Sequence, residues 1–516
     1  MFTAVEDKDN KNVVKEAVED IKKGLKDIKA NKVLIYPFAH LSSNLAKPTE
    51  ALSLLKEMDL QLREEGIETH RAPFGWNKKF AIQIKGHPLA ERAKSFLPEE
   101  KSKEKLQKQR AKLPKGEEKL GENDHRVIGQ QLDLYSFQES GPGMVFWHPK
   151  GLILRNLLID FWRKEHVRNG YVEISTPMML SRNLWEVSGH WDHYKDNMFF
   201  TDQEDMDLAV KPMNCPGGIL IYKNLKRSYR DFPLRMAELG LVARKELSGV
   251  LCGLFRVVMF TQDDAHIFST PEQLKDEVCR IIELTDYIYK ILGFEYHVEL
   301  STKPENAMGT AEMWKKAEDV LKDALKSKKL DYKLNPGEGA FYGPKIDFHI
   351  KDSMGRTWQL GTIQLDFSMP ENFDLTYIGK DGKNHRPAIL HRTVYGSLER
   401  VIGILVECYK GKFPLWLAPV QVSVLPMNDK NIPYAEKILE KLRENNMRVE
   451  IDKDQNTIEY KVRKAQMQKV NYILVIGDKE EKNKTISVRT REGKVKYGVE
   501  LKDFIEQLEK EIKEFK

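Results

Sequence analysis

The spacing of apolar residues changes character three times along the chain. Near the amino terminus Val14, Val18, Ile21 and Leu25 recur at the interval of one helix face, and VLIY (33–36) follows as a short strand. A second helical pattern over 49–65 and a strand FAIQI (80–84) complete a small α/β segment, residues 1–95. Residues 96–122 are crowded with Lys and Glu and carry two prolines. Such a stretch buries little, and it predicts an exposed helical linker.

The segment 123–413 opens differently. After Pro149 the run LILRNLLIDFW predicts an apolar helix that ends near Gly170, followed by the strand YVEIST (171–176). KIDFHI (345–350), RTWQLG (356–361) and TIQLDF (362–367) are separated by short turns, which favours antiparallel pairing over crossovers. The core is read as a mostly antiparallel sheet. From 414 to 516, QVSVL, a helix over 432–444, MRVEI, a helix over 457–469, YILVI, TISVRT and a charged final helix alternate at βαβ spacing. That rhythm predicts a mainly parallel sheet covered by helices. The fold class is multidomain, α/β and α+β.

Bulk composition agrees with this division. A chain of 516 residues exceeds one ordinary core and suggests about three to four domains. With 41% hydrophobic and 31% charged residues it reads as a globular, soluble chain. The charged start lacks a signal-peptide core and no later stretch is long enough to span a bilayer, so a cytoplasmic, non-membrane protein is expected. The net charge of +6 arises from 84 basic and 78 acidic residues; it permits a polyanionic partner without requiring one. Cys215, Cys252, Cys279 and Cys408 show no short paired spacing, which predicts reduced and mostly buried thiols.

The densest chemistry lies in ARKELSGVLCGLFRVVMFTQDDAHIF, where Arg244, Glu246 and Arg256 flank a Ser/Gly-rich loop and Phe260 follows. Two guanidiniums brought together by a hairpin bind phosphate, and an aromatic face accepts a purine. Alone, such a set is more often a surface ion-pair network. The stretch nevertheless resembles the second signature of class II aminoacyl-tRNA synthetases. GSLERVIGIL (396–405) resembles the third, and GYVEISTPMML, with Pro177 closing a strand, the first, which builds a dimer interface. The segments DHRVIGQQLDLYSFQE, GHWDHYKDNMF, KPMNCPGG, FTQDDAHIF, GAFYGPKIDF, WQLGTIQLDF and LHRTVYGSLERVIGIL are similar to threonyl-tRNA synthetases. Gly218 departs from the pattern, since bacterial relatives commonly have histidine there.

The resemblance implies a homodimeric enzyme that ligates L-threonine to tRNA(Thr) through an adenylate, consuming ATP with Mg2+. It implies one zinc ion per subunit on Cys215, His266 and His391. Three dispersed ligands leave a coordination position open for substrate. An apolar pocket separates threonine from valine by only about a hundredfold, whereas a site built for the hydroxyl rejects valine strongly. Asp264 is implied to take the hydroxyl proton or hydrogen bond, with Met213, Gln262 and Tyr342 on the amino-acid side and Lys345 as a catalytic cation beside them. Arg244 is implied on the α-phosphate, Arg256 and Arg400 on the outer phosphates, and Glu246 on the adenine side. Phe260 and Arg400 would sandwich the base, and Gln359 and Gln364 would complete the pocket. His190 is the candidate for proton removal during transfer to the ribose.

Serine also carries the hydroxyl, so hydrolytic editing is expected elsewhere. YPFAHLSS, RAPFGWNKK and KGHPLAER resemble the archaeal threonyl-tRNA synthetase editing domain, related to D-aminoacyl-tRNA deacylase, with His40, Lys78 and Glu91 at its functional positions. Asn77 stands where that family usually has tyrosine, and the chain begins past the domain's usual first strand and helix. Poor editing of Ser-tRNA is therefore expected. The carboxy-terminal segment resembles the anticodon-binding domain of the threonyl, prolyl, histidyl and glycyl enzymes, with Glu480 and Arg489 at base-reading positions. The competing readings are a synthetase-like RNA binder without catalysis and a zinc hydrolase.

Overall fold

A computed structural model describes residues 1–7, 9–38, 41–42, 44–75, 94, 96, 120–203, 206–305, 307–352 and 355–516. The chain divides into two units, 1–116 and 117–516.

In the first unit, strands β1 (Phe2–Thr3), β2 (Lys32–Pro37) and β3 (Glu68–Arg71) form a parallel sheet in that order. Helices α1 (Lys11–Asp27) and α2 (Pro48–Glu64) supply the crossovers parallel strands require. Val14, Val18, Leu55 and Leu62 pack on Ile35, so the helical spacing read along the sequence is the buried face. Asn10 caps α1 by accepting from the amides of Asn12 and Val13. FAIQI and nearly all of the Lys/Glu-rich linker lie outside the described residues.

The second unit is built on an eight-stranded sheet among the described residues. Its strands are β4 (Val172–Glu173), β5 (Leu234–Ala243), β6 (Met259–Ser269), β7 (Tyr296–Ser301), β8 (Tyr332–Asn335), β9 (Lys345–Lys351), β10 (Thr357–Asp366) and β11 (Ala388–Ser397). Their order is β8-β7-β9-β10-β11-β6-β5-β4, antiparallel except at the two edges. The expected antiparallel core is thus present, with one correction. RTWQLG and TIQLDF are a single strand, because Gly361 marks a close approach rather than a turn. Its amide donates to Tyr289 Oη at 2.9 Å, and a Cβ there would meet that oxygen at 2.8 Å.

Helices α3 (Pro149–Arg168), α4 (Cys215–Lys223), α5 (Leu274–Leu292), α6 (Ala311–Ser327) and α7 (Leu398–Cys408) belong to this body. Pro149 stands at the first turn of α3, where its missing amide costs nothing, and α5 stops at Gly293 in the left-handed region (φ 72°). Trp162 of α3 and Ile402 of α7 are fully buried in the main core.

Strands β12 (Val422–Pro426), β13 (Val449–Ile451), β14 (Tyr472–Ile476), β15 (Ile486–Thr490) and β16 (Val495–Val499) form the last sheet, in the order β13-β12-β14-β15-β16. Helices α8 (Ile432–Glu444), α9 (Ile458–Met467), α10 (Asp478–Asn483) and α11 (Leu501–Lys513) accompany it. The sheet is mixed, which corrects the mainly parallel expectation: β13, β12 and β14 are parallel, but β15 and β16 run antiparallel. The short α10 and the left-handed Lys484 (φ 56°) reverse the chain before a crossover is possible. This domain is seated on the eight-stranded-sheet body by Phe161, Trp416 and Phe515, whose rings lie 5.2–5.4 Å apart.

All four cysteines are free, but only Cys215 is buried, which corrects the expectation of mostly buried thiols. Cys408 ends α7 at the surface, and Cys279 Sγ lies 3.3 Å from Ser327 Oγ on a partly open helix face. Among the described residues no helix is long and apolar enough to cross a membrane.

Candidate active site

Strands β6 and β11 are paired so that His266 stands directly opposite His391. Their rings meet edge to face at 4.9 Å. Pro216 stands at the start of α4, whose first residue, Cys215, faces the same point. Candidate ligand atoms of Cys215, His266 and His391 all lie within 4.8 Å of one another, and all three residues are buried.

The donor chemistry fits a soft-to-borderline cation such as zinc. His266 Nε2 is buried and has no hydrogen-bond partner, a vacancy that normally demands an explanation. Burial, reinforced by His391 and Arg392, holds His266 well below the usual histidine range, so it offers a neutral lone pair. Burial, then Asp264 and Asp366, pushes the Cys215 thiol well above its usual range. A cation at that point would be needed to sustain a thiolate there. His391 Nε2 lies 3.0 Å from Asp366 Oδ2, a carboxylate able to orient a ligating ring.

The same strand supplies a polar floor. Gln262, Asp264 and His266 occupy alternate positions of β6, and the register shifts between Gln262 and Asp264. Gln262 Oε1 is buried without a partner, and Asp264 accepts from Asn214 Nδ2 at 3.4 Å. Burial raises Asp264 to about 7, partly offset by His391. Asp263 instead turns to the backbone, accepting from the Val394 amide at 2.9 Å. Tyr342 lies 5.2 Å ring to ring from His391. His190 is fully buried, with Nδ1 2.8 Å from Ser188 Oγ and Nε2 3.2 Å from Met213 Sδ. Burial, then His391 and Arg244, lowers His190 to about 3.

Three arginines and one glutamate border this floor. Arg244 Nε donates to Pro212 O at 3.1 Å, and its guanidinium lies 5.0 Å from the Phe260 ring. Arg256 forms a forked pair with Glu246 Oε2 at 2.8 and 3.0 Å. Arg400 donates to Phe255 O at 2.9 Å and Gln359 O at 2.6 Å, and burial together with Arg244 and Arg256 lowers it to about 10. Three cations this close, one of them desolvated, form a prepared anion site. Lys345 and Gln359 both reach Asp347, and Gln364 donates to Gly343 O at 3.2 Å.

The sequence-derived residues of segment 123–413 therefore converge in two adjoining clusters. Glu480 and Arg489 lie apart, in the last sheet: the Glu480 carboxylate caps α10 through the Gly477 amide and accepts from Ser487 Oγ at 2.6 Å, and half-buried Arg489 is on β15. His40, Lys78 and Glu91 lie outside the described residues. Sequence reasoning missed Asn214, Asp366 and the buried pair Lys211–Glu238, where Lys211 Nζ donates to Glu238 Oε1 at 2.9 Å. Asn214 and Lys211 sit inside KPMNCPGG and Asp366 inside TIQLDF, so adjacency was the available signal.

Comparisons with known proteins address most of the chain. Residues 197–409 match the class II tRNA synthetase core (G, H, P, S and T). Residues 1–96 match the Archaea-specific editing domain of threonyl-tRNA synthetase, and 421–511 an anticodon-binding domain. The threonine–tRNA ligase of Caldanaerobacter subterraneus subsp. tengcongensis is 59% identical over 395 residues, 77% of this chain and 61% of that protein. That of Carboxydothermus hydrogenoformans is 58% identical over 398 residues, 77% of this chain and 63% of that protein. The chain thus spans less than two thirds of the length of these relatives. The RNA-binding domain of threonyl-tRNA synthetase from Cryptosporidium parvum superposes with a TM-score of 0.72 at 42% identity, covering 75% of this chain and 98% of that one.

Proposed function

The chain belongs to the threonyl-tRNA synthetase family, and from that premise we propose that it joins L-threonine to tRNA(Thr) through a threonyl-adenylate, releasing AMP and diphosphate. The observation that carries this reading is the convergence of Cys215, His266 and His391 beside Asp264, with Arg244 close enough to act electrostatically on Cys215. Cys215, His266 and His391 would hold a zinc ion, which when bound supplies an open Lewis-acidic position for the amino and hydroxyl groups of threonine. Asp264 receives the hydroxyl hydrogen bond, and Gln262, Met213 and Tyr342 bound the pocket. Valine leaves these buried polar groups unpaired and is rejected.

Adenylate formation is catalysed by position and charge. Arg244 neutralises the α-phosphate, Arg256 and Arg400 the outer phosphates, and Lys345 stands at the amino-acid side. Phe260 and Arg400 hold the adenine, with Glu246, Gln359 and Gln364 completing its pocket; Mg2+ accompanies ATP. The Arg256–Glu246 pair is partly exposed, so its opening costs little. His190, neutral at physiological pH, assists transfer to the ribose. If His190→Ala slowed adenylate formation and transfer equally, that specific part would be lost.

The last domain contacts the anticodon through Arg489, with Glu480 bracing the neighbouring strand through Ser487. His40, Lys78 and Glu91 belong to a weak editing activity; rapid deacylation of preformed Ser-tRNA by the purified chain would contradict its weakness. Two copies pair through the GYVEISTPMML motif that Pro177 closes. Sedimentation as a monomer would refute the dimer. A cytoplasmic setting accords with four unpaired cysteines.

Threonine-dependent ATP–pyrophosphate exchange tests the reading. A non-catalytic RNA binder and a zinc hydrolase both predict none.

A further inference from the structure

The segment DHRVIG supplies Asp124 and His125 to a second buried cluster completed by Glu407 of α7, whose ligand atoms also lie within 4.8 Å of one another. It is composed differently from the first. His125 Nδ1 and its backbone amide both reach Glu407 Oε1, at 2.8 and 3.1 Å, while Nε2 accepts from the Leu254 amide at 3.0 Å. The imidazole therefore donates on one side and accepts on the other, with neither nitrogen left for a metal. Asp124 is engaged by Arg126 through a forked pair at 2.7 and 2.9 Å.

We infer that His125 is a positioning residue for ATP, stapling the turn that presents Arg256 to the helix that carries Arg400. Each link is a contact. The Cys252 amide donates to Arg256 O at 3.1 Å and the Phe255 amide to Cys252 O at 2.9 Å, closing a turn over 252–256. The imidazole holds this turn at Leu254 and packs on Phe255 at 4.1 Å. Phe255 O in turn accepts from Arg400 Nε, and Glu407, the other partner of His125, lies on α7 with Arg400. Gly253 is shaped for the arrangement: it has φ 48°, and a Cβ there would lie 2.2 Å from His125 Nε2. Gly403 likewise admits Phe255, since its Cβ would meet that ring at 2.8 Å. One neutral side chain thereby fixes the separation of two arginines that must share one polyphosphate, an effect that lowers the reorganisation needed on binding.

This inference rests on the proposed ATP role of Arg256 and Arg400, and the test separates the two. Mg·ATP binding to the full-length chain is measured calorimetrically without threonine, and KM values for ATP and threonine by exchange. His125→Ala and Glu407→Leu should each weaken ATP binding and raise its KM at least tenfold, leave threonine KM within twofold and leave metal content unchanged. The double variant should be no worse than the weaker single one, because both break one staple. His125→Gln, which can accept from Leu254 and donate to Glu407, should recover most of the loss. Leu321→Ala, a core truncation remote from the turn, controls for destabilisation and should leave ATP KM unchanged. Unchanged ATP affinity in His125→Ala, an equal rise in Leu321→Ala, or parallel rises in both KM values would overturn the staple. Wild-type chain that fails to bind Mg·ATP would overturn the ATP role itself.

Discussion

Lys211→Met isolates a deeply buried ion pair of the second unit. Lys211 and Glu238 have side chains only 2% and 4% exposed, and Lys211 Nζ also reaches Thr176 Oγ1 at 2.8 Å and Thr176 O at 3.2 Å. Methionine fills the lysine stem but removes the charge, leaving Glu238 desolvated. Losing one partner of such a pair typically costs about 3–5 kcal/mol. The Thr176 amide and hydroxyl still donate to Glu238, at 2.8 and 2.9 Å, so the lower end, about 3 kcal/mol, is expected. Urea unfolding followed by tryptophan fluorescence should show that loss as a lowered midpoint with an unchanged slope. Lys211→Met/Glu238→Leu should regain much of it, since an apolar pair replaces an orphaned charge. A loss below about 1 kcal/mol, or a double variant as unstable as the sum of the singles, would refute the argument.

Three further outcomes are expected. Glu399 accepts from the Thr261 amide, and burial raises it to about 7 from an ordinary 4.5, so the folded chain holds this proton to higher pH than the unfolded one. That contribution is full below the unfolded value and is lost as pH rises through about 7; Glu399→Gln should gain stability relative to the parent between pH 5 and 8, by on the order of 3 kcal/mol at most, and parallel pH profiles would refute it. Gly240→Ala places a Cβ 2.1 Å from Asn214 Oδ1 and displaces the partner of Asp264. Threonine KM should rise about tenfold with ATP KM little changed; equal rises would point to general damage. Cys215→Ala should abolish stoichiometric zinc in elemental analysis and threonine-dependent exchange while Mg·ATP still binds; zinc retained at one per chain would exclude Cys215 as a ligand.

What the sequence made legible was local period and motif. The helix spacing of Val14 to Leu25 and of 432–444 became the helices α1 and α8, because one apolar face decides both. Gly361 misled because a turn glycine and a close-approach glycine look alike until Tyr289 is placed. The direction of β15 was equally hidden, since it depends on where the left-handed Lys484 reverses the chain.

The trio Cys215, His266 and His391 illustrates the same boundary. Alone, Cys215, His266 and His391 read as three core residues; only the resemblance joined them, and it takes the β6–β11 register together with the start of α4 to account for their meeting. The pairs Lys211–Glu238 and His125–Glu407 carry no local pattern, the second spanning 282 positions. Long-range polar pairs of this kind are decided by packing, which one sequence does not display.

Under the proposed function, the Cys215–His266–His391 site recognises a hydroxyl. Exchange rates for threonine, serine and valine on the zinc-loaded chain test it most directly. Serine should be activated within about 10–200-fold of threonine, since only a methyl is lost, while valine falls about 10⁴-fold or more. Valine within about a hundredfold of threonine would contradict it, because an apolar pocket without a hydroxyl-reading metal would do as well.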